Sequence, residues 1–144
     1  MFTKVINYTD FEGNECSETY YFNLTKLECM DLELMYENEG GLIEYLKSII
    51  KTKNPENAPK KPFIDFVKMF IAKAYGVRQG KAFVKTKETL DEFICSEAYS
   101  ELVLELLMHP EEFEEFAKKT MPAVPEEELK KAMAEYKLTA GSEA

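Results

Sequence analysis

Apolar residues recur with two different periods along the chain, and the change of period separates a short β region from a long helical one. Between residues 2 and 22, apolar and aromatic residues cluster in two runs on either side of a turn-rich stretch centred on Gly13 and Asn14. This arrangement predicts a β-hairpin. Because an isolated hairpin is only marginally stable, it must pack on helices or pair with another chain.

The first predicted helix carries its own start signal. Thr25 and Glu28 have the spacing of a capping box, in which the hydroxyl accepts from a first-turn amide and the carboxylate reaches back to the cap amide. Leu24 and Cys29 stand where a hydrophobic staple closes, which favours a packing role for Cys29 over a chemical one. The helix is expected to end before the Gly40-Gly41 pair, where the backbone can adopt a left-handed conformation.

Two more helices are predicted in the middle of the chain. One runs from Leu42 to about Lys51, and the Pro-rich loop after it, Thr52 to Pro62, is the best candidate for a mobile connector. The next helix has the cleanest apolar stripe in the sequence, and Gly76 is expected to cap it. The positions of this stripe are Phe63, Phe66, Val67, Phe70, Ile71 and Ala74.

Shorter elements follow. Ala82-Phe83-Val84 is a candidate strand fragment, and Thr86 opens a further helical stretch. Two apolar sets on opposite faces of this stretch favour a break near Cys95, with Ser96 as the next N-cap. The alternative is one long helix held in a deep groove between two partners.

These elements predict a mainly α fold, a small helical domain of about five to six helices with an N-terminal β-hairpin. Residues 1–108 are expected to form the hairpin and the helical body, and residues 109–144 a helical C-terminal extension that is a candidate for mobility. Within the extension, Pro110 and Pro125 each stand at a helix start, separated by a linker that begins at Met121.

Charge is distributed unevenly along the chain, whose net charge is −9. Residues 1–46 carry 2 Lys/Arg against 10 Asp/Glu, residues 47–87 carry 11 against 2, and residues 88–144 carry 5 against 15. The simplest interpretation is a solvated surface, and the other is that the basic middle meets the acidic ends, within one molecule or between copies. Two acidic blocks would repel phosphates, which argues against nucleic-acid binding.

Residues with catalytic potential are scarce. The cysteines Cys16, Cys29 and Cys95 form no CxxC pair and are expected to be reduced. The one histidine, His109, directly precedes Pro110, which favours a role in capping or preceding that helix over catalysis. The sequence has no P-loop, GxGxxG, HExxH or GxSxG motif. No enzymatic activity, metal site or cofactor is therefore predicted.

Targeting and membrane signals are not found in the sequence. The first residues lack the long apolar run of a signal peptide, and nowhere do 18 apolar residues run together. A protein of the cytosol is therefore expected, without a membrane partner.

Four stretches occur together in an ordered set. They are Tyr20-Tyr21-Phe22-Asn23-Leu24-Thr25-Lys26, Gly40-Gly41-Leu42-Ile43-Glu44-Tyr45-Leu46, Ala74-Tyr75-Gly76-Val77 and Ser96-Glu97-Ala98-Tyr99-Ser100-Glu101-Leu102. In this order and at this spacing, the chain resembles the tail assembly chaperones of long-tailed (siphovirus-type) bacteriophages. The likeness covers roughly residues 1–108, where Phe83-Val84-Lys85-Thr86 also fits. No single stretch is specific, whereas the ordered set is considerably more so.

The resemblance implies a helical protein with an N-terminal strand pair and no catalytic residues. It implies binding to the tape measure protein, which is kept soluble until tail-tube subunits polymerise around it. The protein would then act in the cytoplasm of the infected bacterial host and be absent from the mature virion. Self-association is also expected, with the hairpin and the basic middle as candidate contacts.

A chaperone needs apolar surface that is exposed or can become exposed. The candidate partner-binding residues form two stripes: Phe66, Phe70 and Tyr75, and Tyr99, Leu102 and Leu106. Because such stripes usually belong to a core, at least half of the six are expected to be core residues. Two other functions stay open: a structural head–tail connector or tail-completion protein, and a host-directed adaptor or inhibitor.

Overall fold

The computed structural model describes residues 1–51 and 60–121. In these residues, the chain forms six α-helices, four β-strands and a 3-10 turn at Glu37–Glu39. In chain order the main elements are β1 (Phe2–Thr9), β2 (Glu15–Phe22), α1 (Lys26–Met35), α2 (Leu42–Lys51), α3 (Lys61–Ala74), β3 (Tyr75–Gln79), β4 (Ala82–Val84), α4 (Lys87–Ile94), α5 (Glu97–Met108) and α6 (Pro110–Thr120). The helix predicted after Pro125 lies outside the described residues.

The predicted N-terminal hairpin is confirmed, and it is part of a larger sheet. β1 and β2 pair antiparallel from Phe2↔Phe22 to Thr9↔Glu15. β3 and β4 extend them into a four-stranded antiparallel sheet of order β1-β2-β3-β4. The inner face of the hairpin buries Ile6 and Phe22 against the helices. The mainly helical prediction therefore fits, although the sheet has two more strands than the hairpin alone.

Gly76 does not cap α3, so that prediction is wrong. α3 ends at Ala74, Tyr75 is extended (φ −65°, ψ 140°), and β3 pairs at once with β2 through Tyr21↔Gly76. Pairing with β2 holds Tyr75 and Gly76 in an extended conformation, so the left-handed conformation of a helix cap does not form. Gly76 serves close packing instead, because a Cβ atom there would lie 2.6 Å from the ring of Phe83.

The N-caps predicted at Thr25, Thr86 and Ser96 are confirmed. Thr25 Oγ1 accepts from the Glu28 amide at 3.2 Å, and Glu28 Oε1 accepts from the Thr25 amide at 2.9 Å. The side chains of Thr86 and Ser96 each accept from the amide three residues further on. α4 and α5 are therefore separate helices, and the alternative of one long helix is wrong.

The predicted loop Thr52–Pro62 extends too far at its C-terminal end. α3 begins at Lys61, so Pro62 lies in the first helical turn, where a missing amide costs no intrahelical hydrogen bond. Residues 52–59 of the predicted connector lie outside the described residues.

α6 shares its core with the rest of the described chain. Phe113, Phe116 and Ala117 are buried in the same cluster as the helices and the hairpin. The Leu24 amide donates to the carbonyl of Thr120 at 3.1 Å, which ties the end of α6 to the entrance of α1. α6 therefore packs on the body, the boundary between residues 108 and 109 stays a prediction, and residues 122–144 of the predicted extension lie outside the described residues.

Replacing Thr120 with valine is expected to stabilise the protein. Thr120 is fully buried, and its hydroxyl has no hydrogen-bond partner within the described residues. Burial of an unpaired hydroxyl costs about 1–3 kcal/mol, and valine has almost the same shape. Thr120→Val should raise the free energy of unfolding in urea by about 1 kcal/mol. Thr120→Ala, which also removes a methyl group, should not stabilise, and a loss of stability with valine would show that the hydroxyl is paired.

Candidate partner-binding surfaces

Two of the described cysteines have thiols whose pKa is raised, which lowers their reactivity as thiolates. Burial raises the pKa of the Cys29 thiol to about 11, and burial together with the Asp10 carboxylate raises the pKa of Cys16. His109 is exposed, with its Nδ1 3.7 Å from Oε1 of Glu111. Within residues 1–51 and 60–121, no group of three or more His, Cys, Asp or Glu side chains has the arrangement of a metal site. No described helix is long and apolar enough to cross a membrane.

α6 covers the first candidate stripe. Phe66 and Phe70 are buried on α3, and the ring of Phe113 meets both edge-on, with centroids 5.8 and 5.6 Å away. Edge-to-face pairs at this separation stabilise beyond their buried area. α6 therefore covers part of the surface of Phe66 and Phe70, and Phe66 is also packed against Tyr36 and Tyr45, with centroids 5.5 and 5.6 Å away.

The second stripe lies beside the same helix. Leu102 and Leu106 are buried on α5, yet they form part of the floor of a cleft of about 210 Å³. The cleft is lined by Phe2, Lys4, Leu102, Glu105, Leu106, Glu112, Glu115, Phe116 and Lys119. Two ion pairs, Lys4–Glu105 at 3.1 Å and Lys119–Glu115 at 2.9 Å, are part of its charged lining. We refer to Phe66, Phe70, Leu102 and Leu106 as the α6 face.

Tyr75 and Tyr99 form a separate pair that is only half-buried. Both contact Phe93, Tyr75 by stacking at 4.3 Å and Tyr99 edge-on at 5.5 Å. Burial raises the pKa of both phenols. The six candidate residues thus divide into four core residues beside α6 and two partly exposed rings around Phe93.

Phe11, which was not among the predicted partner-binding residues, is the most exposed large apolar residue of the described chain. Its side chain is 92% exposed at the tip of the β1–β2 hairpin. The tip is ordered by Asp10, whose carboxylate accepts from the amides of Glu12 at 3.0 Å and Asn14 at 2.8 Å, and these bonds lower its pKa. Gly13 completes the turn with φ +88°. An aromatic residue inside an Asp-x-x-Gly-Asn turn was the signal available in the sequence.

A second cleft opens where β3 diverges from β2. β3 pairs with β2 at two positions only and then turns to pair with β4. The cleft has a volume of about 470 Å³ and is lined by Thr19, Tyr20, Tyr21, Tyr75, Gly76, Val77, Arg78 and Gly80. The guanidinium of Arg78 lies over the ring of Tyr21, 5.4 Å from its centroid. The cleft therefore combines aromatic walls with a cation.

One ion pair joins the basic middle to the acidic N-terminal block. Lys85 Nζ lies 2.7 Å from Oε1 of Glu28, the carboxylate that also closes the capping box of α1. Partial burial by itself would raise the pKa of Glu28, but the hydrogen bonds from Lys85 and from the Thr25 amide outweigh it and lower the pKa. The interpretation of internal charge complementarity holds at this contact.

Glu28→Gln tests this contact, because glutamine keeps an acceptor for the cap amide but loses the ion pair. Since the folded pKa lies below the ordinary value of 4.5, ionised Glu28 stabilises the fold above that pH, and this stability is lost as pH falls through the folded pKa. We expect the variant to lose at most about 1 kcal/mol near neutral pH. The loss should shrink in urea unfolding as the pH falls below 4.5 and through the folded pKa. Glu101→Gln, an exposed position, serves as the control, and a difference that persists in acid would contradict the assignment.

Comparison with known proteins identifies a family for the chain. A family model described as phage tail assembly chaperone matches residues 1–143. No curated protein and no solved structure matches the chain significantly. The family match covers almost the whole chain, including α6, and so extends beyond residues 1–108, where the sequence resemblance was recognised. The chain belongs to the phage tail assembly chaperone family.

Proposed function

We propose that the protein binds the tape measure protein during tail assembly, keeps that chain soluble and helps recruit tail-tube subunits. Membership of the chaperone family supports an assembly role. The protein is proposed to work in the cytoplasm of the infected bacterial host, to self-associate and to be absent from the mature virion. It needs no cofactor, nucleic acid or membrane for this task.

The burial of the α6 face under α6 is the observation that carries the proposed binding mode. An amphipathic segment of the tape measure protein would replace Phe113 and Phe116 of α6 over this face, in the manner of a helix that binds in an apolar groove. α6 has 11 residues, and a helix of this length is marginal alone in water. The release of α6 therefore costs mainly the free energy of exposing the apolar surface that it buries. The partner recovers this free energy by covering the same surface.

A cover of this kind suits a chaperone. A permanently exposed patch of phenylalanine and leucine would promote aggregation of the free protein. The solvent side of α6 carries acidic residues, including Glu111 and Glu112 in its first turn, which keep the closed form soluble. Tyr75 and Tyr99, which are half-buried, provide a first contact that requires no opening.

Co-expression with a tape measure fragment that aggregates alone tests the proposal. We expect the fragment to become soluble and to co-elute with the protein as a complex of defined mass in size-exclusion chromatography with light scattering. An unrelated aggregation-prone fragment, used as the control, should gain no solubility. If the tape measure fragment stays insoluble and forms no complex, the proposed function is wrong.

The composition of purified mature virions distinguishes the chaperone function from the alternative, a structural head–tail connector or tail-completion protein. A chaperone leaves before the tail is complete, so we expect the protein to be absent. Its presence at a fixed number of copies per virion would instead favour a structural component.

A further inference from the structure

The hairpin tip is built to present one aromatic ring. Asp10 holds the turn through two backbone amides, and Phe11 projects from it almost fully exposed. Glu12 and Glu15 flank the ring and are exposed as well. A rigid aromatic side chain loses little conformational freedom on binding, which is why such residues anchor interfaces. The tip therefore fits a pocket that is aromatic inside and cationic at its rim.

The cleft between β2 and β3 has that chemistry. Tyr21 and Arg78 line one side of it, and Tyr20 and Tyr75, whose rings also pack on Phe93, line the other. Lys81, in the turn between β3 and β4, is exposed close to the lining residue Gly80. A phenylalanine ring would pack against the tyrosines, while carboxylates on either side of it would meet the cations.

The tip of a molecule cannot reach its own cleft. Glu15 and Tyr20 belong to the same rigid strand, paired with β1 along its whole length. At about 3.3 Å per residue, these two positions are roughly 17 Å apart, and Phe11 lies beyond Glu15. A hairpin tip that fills the cleft must therefore belong to another molecule.

We propose that the hairpin tip of one copy binds in the cleft between β2 and β3 of a second copy. The inference rests on the self-association included in the proposed function, and it identifies the two surfaces that meet. Because the tip and the cleft are different surfaces, the contact is head-to-tail. Repetition of a head-to-tail contact produces a closed ring or an open helical assembly.

Two variants, each damaging one side of the contact, test the geometry. Phe11→Ser removes the anchor but leaves the cleft intact, and Arg78→Glu reverses the cleft charge but leaves the tip intact. We expect each to weaken self-association by about 30-fold or more, as measured by light scattering over a concentration series, because a buried aromatic anchor or its charged partner behaves as a hot spot. Met108→Ser and Lys68→Glu, two exposed positions away from both surfaces, are the matched controls and should assemble like the wild type.

A mixture of the two variants gives the decisive result. Phe11→Ser supplies an intact cleft and Arg78→Glu an intact tip, so the equimolar mixture should form one good contact and stop at a complex of two chains. Circular dichroism melting of each variant checks that it is folded. A mixture that stays monomeric, or single variants that assemble like the wild type, would overturn the inference.

Two further outcomes separate this inference from the proposed function. A wild-type protein that stays monomeric up to about 1 mM would overturn both the contact and the proposed self-association, while binding of the tape measure fragment would be judged separately. If Phe11→Ser loses that fragment but still self-associates, the tip contacts the tape measure protein and the inference is wrong.

Discussion

Replacing Phe113 with alanine is expected to lower the free energy of unfolding by about 3–5 kcal/mol. The ring of Phe113 is fully buried and lies against three phenylalanines of α3, Phe63, Phe66 and Phe70, with centroid separations of 5.9, 5.8 and 5.6 Å. Truncation removes all three edge-on contacts and leaves a cavity beneath α6. Urea unfolding followed by far-UV circular dichroism measures the loss.

Phe113→Leu is the companion variant, because it keeps apolar volume and should lose only about 1–1.5 kcal/mol. Glu114→Ala, on the same helix, is a control for changes in helix propensity. A loss below about 1 kcal/mol for Phe113→Ala would show that α6 does not depend on this side chain for its docking.

Phe113 also links stability to partner binding. If the α6 face is the binding site, a variant with weakened α6 docking should bind the tape measure fragment more tightly, because less free energy is spent on opening. Thr120→Val, expected to hold α6 more firmly, should bind it more weakly. Equal affinities for the wild type and these variants would separate partner binding from α6.

Replacing Phe93 with alanine is expected to cost about 3 kcal/mol and to release the aromatic cluster around it. The Phe93 ring stacks on Tyr75 at 4.3 Å and contacts Tyr20 at 5.0 Å and Tyr99 at 5.5 Å. Since the chain has no tryptophan, its near-UV circular dichroism is dominated by tyrosines held in fixed surroundings. We expect this signal to fall markedly while the far-UV signal persists at a temperature where the variant is folded.

Phe93→Leu keeps the site apolar but removes the stack, so it should lose near-UV signal with a smaller loss of stability. The neighbouring residue Ile94 is partly exposed, and Ile94→Ala should change both readouts little. An unchanged near-UV spectrum in both Phe93 variants would mean that Tyr75 and Tyr99 are ordered by other contacts.

Local signals in the sequence predicted most helix starts correctly. A capping box, an N-cap serine or a proline at a first turn acts within four residues, and the structure confirms Thr25, Ser96 and Pro110 in these roles. The failure at the end of α3 lies where a distant segment competes. Gly76 pairs with the edge of β2 instead of capping α3. The residues around Gly76 do not show that this edge lies nearby.

The candidate partner-binding residues also divide into features that local sequence predicts and features that depend on distant contacts. Helical spacing identified Phe66 and Phe70 as one apolar stripe, but periodicity does not show which element covers a stripe. The cover is α6, which lies more than 40 residues further along the chain and was assigned to a C-terminal extension. Phe11 illustrates the reverse case, because its exposure depends on the lack of any described element over the hairpin tip.

The sequence by itself determined most helix starts, the hairpin, the charge blocks and the chaperone resemblance, because each depends on neighbouring residues or on an ordered set of short stretches. Only the tertiary structure decided which apolar residues are covered, how β3 and β4 join the sheet and where two clefts open. Those features depend on contacts between residues far apart in the chain, and burial is a property of the assembled neighbours rather than of the residue itself.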